Sequence, residues 1–77
     1  MTTKKTEPEK AKQIDEVLHT VYDALKTKGY DSINQLVGFI FSDDPTYITT
    51  YNNARKLITS IDREETLKYL IEHYFKY

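Results

Sequence analysis

The sequence predicts an all-α domain of about four short helices, and three observations predict it. Apolar residues recur at i, i+3, i+4 and i+7 in successive windows. No stretch sustains the two-residue alternation of a half-buried strand. Glycine, which hairpin turns need, occurs only twice. With 77 residues the chain makes one domain at most. A chain that short buries only about 60% of its unfolded surface, and such scaffolds lean on disulfides, a metal or oligomerisation. There is no cysteine, so disulfides and thiolate zinc sites are excluded. Self-association is the remaining support, and a homodimer is expected.

Residues 1–12, MTTKKTEPEKAK, hold little besides Thr, Lys, Glu and Pro. They cannot bury enough apolar area to offset their ordering entropy, so they read as a flexible tail ahead of a helical domain at 13–77. Thr2, Thr3 and Thr6 are hydroxyls on that tail and candidate phosphorylation sites. A phosphate there would add up to about two negative charges and create or block an arginine contact. The competing reading is an inert solubilising segment.

The first helix carries Ile14, Val17, Leu18, Val21, Tyr22 and Leu25 as one stripe. Lys26 and Lys28 occupy its last turn, and Gly29 supplies the left-handed residue that ends it. A second helix opens at Ser32, whose pairing with Gln35 fits a capping box, with Asp31 as a rival cap. Ile33, Leu36, Val37, Ile40 and Phe41 form its stripe, while Phe39 projects from another side. Leu36, Val37, Ile40 and Phe41 are therefore expected in the core or a dimer contact. Gly38 weakens the helix, so a close approach by a neighbour is its expected reason.

Asp43-Asp44-Pro45 stops that helix, because a residue before proline is pushed out of helical geometry. Asp44 then caps a short turn at 45–48. A third helix is expected from Thr49 or Thr50, with Tyr51, Ala54, Leu57, Ile58 and Ile61 on one face. Asp62 with Glu65 is another capping-box pattern and starts a fourth helix, with Leu67, Leu70, Ile71 and Tyr74 on its buried side.

Candidate chemistry is sparse. His19 lies beside the first stripe and His73 on the polar side of the last helix, each reading as a surface or boundary residue rather than a catalyst. His19 and Asp23 are one turn apart, but two ligands make weak evidence for a metal. Asp43 and Asp44 lack the spacing and glycine of a calcium loop, and no glycine-rich phosphate loop occurs. The expectation is a non-enzyme with no metal and no cofactor. Eleven basic residues are interspersed with twelve acidic ones for a net charge of −1. That is no field for general phosphate binding, and Asp43, Asp44 and Asp62 border the basic cluster of Arg55, Lys56 and Arg63. Nucleic acid is the alternative partner rather than the expected one. No long apolar run and no basic-then-apolar leader is evident, so membrane insertion is not expected and a cytoplasmic location is.

Seven tyrosines remain. Tyrosine and arginine are enriched at protein–protein hot spots, which makes Tyr47, Tyr51, Arg55, Lys56 and Arg63 the candidate partner surface. The plainer reading is that the tyrosines cover a thin core with their hydroxyls in water.

The stretch GYDSINQLVGFIFSDDPTYITTYNNAR, from Gly29 to Arg55, resembles the signature of the IreB family of small regulatory phosphoproteins of low-GC Gram-positive bacteria. The matching positions are Gly29-Tyr30, Asn34-Gln35-Leu36-Val37-Gly38, Asp44-Pro45, Tyr47-Ile48 and Asn53-Ala54-Arg55, and the likeness runs over about residues 14–76. The resemblance implies an all-helical homodimer without enzymatic activity. It implies control by a PASTA-type serine/threonine kinase and its phosphatase, acting on a cell-wall precursor enzyme through Clp protease machinery, with basic residues of the third and fourth helices serving the partner. The chain departs from the pattern at four positions. Thr6 precedes Glu7-Pro8 where the family carries a Thr-Met-Arg-Phe-like stretch. Asp43 replaces a glycine, and aspartate is among the residues that best tolerate left-handed geometry. Thr50 and Thr59 stand where the family has arginines. A structural dimer without its regulatory tail is accordingly a further alternative.

Overall fold

The computed structural model describes residues 6–75. Four α-helices follow one another: α1 (Pro8–Thr27), α2 (Ser32–Ser42), α3 (Ala54–Thr59) and α4 (Arg63–Phe75), with two 3-10 turns, Pro45–Tyr47 and Tyr51–Asn53, between α2 and α3. No strand occurs among the described residues.

The start of α1 corrects the expected tail. Helix begins at Pro8 rather than after residue 12. Proline at the first helical position lacks only an N–H that would have had no partner, and Glu9 suits the positive end of the helix dipole. Thr2 and Thr3 lie outside the described residues, while Thr6 lies within them. The far end of α1 follows its sequence signals. Gly29 takes φ +85°, and the Tyr30 N–H reaches Leu25 O at 2.9 Å while the Gly29 N–H reaches Lys26 O at 3.0 Å. This pair of bonds is the Schellman closure.

At α2 the rival cap wins. Asp31 Oδ1 accepts from the Asn34 N–H at 3.2 Å, while Ser32 turns inward and donates to Tyr22 O at 2.8 Å. Gln35 is not a capping partner either, since its amide donates to Tyr47 O at 2.8 Å. The helix ends on Asp43 at φ +60°, whose N–H returns to Phe39 O. Aspartate thus holds the left-handed geometry in the place where the resemblance puts glycine. Asp44 caps the following turn as expected, accepting from the Thr46 N–H at 3.0 Å and hydroxyl at 2.7 Å.

The third helix starts later than the pattern suggested, at Ala54. Asn52 and Asn53 both take positive φ, 53° and 60°, which breaks a helix that would otherwise run from Thr50. Asparagine visits that region more readily than most residues. Asp62 caps α4 by accepting from the Glu65 N–H at 2.9 Å. Only that half of the box is used, because the Glu65 carboxylate takes Lys10 instead.

The core lies where α1, α2 and α3 meet: Val17, Val21, Ala24, Leu25, Phe39, Ile48, Ala54 and Ile58. The α2 stripe faces outward, and the expected buried face of α4 is inverted. On α2 it is Phe39, not the stripe, that is buried; Ile33 and Val37 are each 59% exposed and Phe41 is 89% exposed. On α4 only Thr66 is buried among the described residues, and Leu67, Leu70, Ile71 and Tyr74 face outward. Leu36 and Ile40 sit between these extremes, packed on the core's edge. The α2 surface that α1 and the Pro45–Tyr47 turn cover is therefore not its full apolar stripe. Gly38 does receive a close neighbour: the Tyr47 ring fills the space a Cβ would take, with its Cδ1 2.6 Å from that position.

Candidate functional site

These outward apolar faces build the most evident site. Leu18 and Tyr22 of α1, Ile33, Val37 and Ile40 of α2, and Leu70 of α4 line an open apolar groove of about 480 Å³. Apolar side chains left together in water mark contact surfaces more often than isolated ones do. The groove's rim is polar. Tyr69 OH donates to Asp15 Oδ1 at 3.0 Å, and His19 Nδ1 lies 2.8 Å from Asp15 O and 3.5 Å from Asp15 Oδ2. His73 sets its ring 5.9 Å from that of Tyr69. Burial first, and then the bond to Asp15, push the Tyr69 phenol above its ordinary value. This is the composition of a contact face, apolar at the centre and polar at the edge.

His19 thus meets Asp15 rather than Asp23, and His73 stands with Tyr69. Among the described residues no group of three or more His, Cys, Asp or Glu is arranged to hold a metal ion.

The candidate partner residues divide. Arg63 Nη1 donates to Ile40 O, one of the carbonyls left over at the end of α2, at 2.6 Å, and its Nε pairs with Asp43 Oδ1 at 3.2 Å. It ties the start of α4 to the end of α2, where a cation suits the helix dipole. Arg55 Nε donates to Ile48 O at 2.8 Å, so part of that guanidinium orders the loop before α3. Lys56 is exposed. Tyr47 braces Gly38 through its ring, and Tyr51 lies under Lys28 Nζ at 5.3 Å from the ring centroid. Arg55 and Lys56 share a second hollow, of about 460 Å³, with Pro45, Asn53, Thr50 and Thr59. The last two are the positions at which the resemblance called for arginine. Thr50, Arg55, Lys56 and Thr59 thereby meet at one hollow.

Sequence reading missed the seam between α1 and α4. Lys10 Nζ meets Glu65 Oε2 at 2.8 Å; this bond and the charge of Glu65 hold the Lys10 ammonium above its usual value. The Thr6 N–H points at both oxygens of Glu72, 3.1 and 3.2 Å away. These partners are 55 and 66 residues apart in sequence, and no local pattern announces them.

The model of the IreB regulatory phosphoprotein family matches residues 1–76. The chain belongs to the IreB family. A protein of Ruminiclostridium cellulolyticum, named UPF0297 protein, is 46% identical over 72 residues, covering 94% of this chain and 82% of the relative. This IreB-family chain thus carries the family's likeness into the N-terminal stretch, beyond the signature between Gly29 and Arg55. No helix among the described residues is long and apolar enough to cross a membrane.

Proposed function

We propose that this IreB-family chain is a non-catalytic cytoplasmic regulator that works as a homodimer through protein–protein contacts. A PASTA-type serine/threonine kinase phosphorylates an N-terminal threonine, Thr6, Thr2 or Thr3, and a partner phosphatase removes the phosphate. The modification sets how the dimer engages a cell-wall precursor enzyme and the Clp protease machinery that degrades it. One observation carries the contact-based reading: the widest apolar surfaces of α2 and α4 face outward around a groove, in a chain whose family is one of regulatory phosphoproteins. In the dimer that groove is covered by the second copy. Lys56, Tyr51 and the outer edges of Arg55 and Arg63 then remain for the partner.

The test is reconstitution of the chain with its host's PASTA-type kinase and ATP, followed by mapping of phosphate by mass spectrometry. Phosphate on Thr6, Thr2 or Thr3, lost when the acceptor is changed to alanine, supports the reading. A chain left unmodified while a control substrate is phosphorylated normally removes the kinase from it.

A further inference from the structure

The α1–α4 seam holds an arrangement whose response to added charge can be worked out. Thr6 precedes α1, and its N–H bonds both oxygens of the Glu72 carboxylate on α4. Its Oγ1 is buried there, and no hydrogen-bond partner reaches it among the described residues. Two other features of this end of α1 add little hold. Glu7, the residue before the helix, makes no side-chain cap, and Ile14 is the first buried residue of the helix. Lys10–Glu65 is an exposed ion pair, of the kind that contributes little on its own.

We propose that the Thr6–Glu72 contact is a clasp between α1 and α4 that phosphorylation of Thr6 opens. The inference rests on Thr6 being an acceptor in the regulatory reading above. In the closed clasp the hydroxyl is buried, so a kinase meets Thr6 only when the segment lifts from α4. The γ-phosphoryl group of a nucleoside triphosphate then passes to Oγ1, the O–H proton leaves to the kinase's base, and the nucleoside diphosphate departs. The product carries about 1.5 to 2 negative charges at pH 7. Its return would bury those oxygens where the hydroxyl had no partner and set them beside the Glu72 carboxylate. Like charge and desolvation both oppose reclosure. Phosphate near the start of α1 suits that helix's own dipole, so the helix persists while its contact with α4 is lost. The clasp thereby links the modified residue to α4, the helix whose outer apolar residues border the groove.

The test uses the full chain with phosphothreonine installed at position 6 by chemical ligation, which makes it independent of any kinase. In the unmodified protein an NMR cross-peak is expected between the Thr6 amide proton and the Glu72 γ protons; in the phosphorylated protein it disappears. In Glu72→Gln the amide oxygen still accepts from Thr6 but the like charge is gone, so phosphate weakens the cross-peak less. Persistence of the cross-peak in the phosphorylated parent chain overturns the proposal; loss in both backgrounds supports it, and equal loss there assigns the opening to desolvation rather than to like charge. Failure of the kinase to modify Thr6 would instead count against the regulatory reading and leave this comparison intact.

Discussion

Replacing Phe39 and Phe41 one at a time separates the core from the contact face. The two phenylalanines are close neighbours on α2, yet Phe39 is 2% exposed and Phe41 is 89% exposed. Truncating a buried phenylalanine to alanine removes its packing and leaves a cavity, at about 3–5 kcal/mol. An exposed truncation stays within about 0.5 kcal/mol. At roughly 0.05–0.15 kcal/mol per residue, a domain of this size is stable by about 4–12 kcal/mol, so Phe39→Ala removes a large share of that or all of it. Phe39→Leu, a milder change at about 1–2 kcal/mol, keeps the chain folded and measurable. The assay is urea unfolding followed by circular dichroism at two protein concentrations tenfold apart. With a slope of about 1 kcal/mol per molar urea, Phe39→Leu lowers the midpoint by about 1–2 M at both concentrations. Phe41→Ala leaves the dilute midpoint unchanged, and its deficit relative to the parent grows with concentration, because Phe41 contributes only through association. Equal and concentration-independent losses for the two positions would refute the assignment of these faces.

Other outcomes follow from the same contacts. Gly38→Ala gains about 1 kcal/mol in helix propensity but meets the Tyr47 ring; overpacking costs about 1–3 kcal/mol, so thermal unfolding should show net destabilisation, reversed in sign when Tyr47→Ala is also present. Asp31→Ala removes the cap of α2 and lowers stability by about 0.5–2 kcal/mol, whereas Ser32→Ala acts through loss of the bond to Tyr22 O rather than through a cap. Hydrogen bonds from the Thr46 side chain and backbone hold the Asp44 carboxyl below its ordinary range. Its stabilisation is therefore complete above the unfolded value, near pH ~3.9, and is lost as pH falls through the lower folded value; Asp44→Asn should flatten that acid limb of the melting temperature. Tyr69 works in the opposite direction. Its raised phenol favours the folded state below the unfolded value near pH ~10 and ceases to do so as pH rises through the folded one, and Tyr69→Phe should delete a late step from the ultraviolet tyrosine titration.

Much of the helical frame was legible because its signals are local. Asp31, Asp44 and Asp62 mark helix or turn starts through bonds to residues two or three positions on. Gly29 ends α1 by its own backbone freedom. Gly38 announced a close neighbour, though not that the neighbour would be a tyrosine ring. Periodicity was less informative about burial. It showed that α2 and α4 each have an apolar stripe but not which surface the rest of the fold covers, so Phe41 reads as either core or dimer contact, and Phe39, set apart from the stripe, is the one the fold buries. Composition likewise marked residues 8–12 as unable to bury much, which is correct, but burial is not needed to extend a helix from a favourable proline start. The break before α3 rests on two left-handed asparagines, and Asn-Asn is compatible with either helix or turn. Arg55 and Arg63 were read as partner-facing; nothing in the sequence says that their nitrogens first meet the carbonyls of Ile48 and Ile40.

Regulation by contact requires that the outward apolar face of α2 and α4 be a surface where proteins meet. Sedimentation velocity of the intact chain, alongside a Val37→Glu, Ile71→Glu variant, tests that requirement. Both positions are more than half exposed, so neither charge disturbs the folded protomer. The expected result is a dimer for the parent chain at micromolar concentrations and a helical monomer for the variant. A parent chain that stays monomeric throughout, or a variant that dimerises as well as the parent, would contradict it.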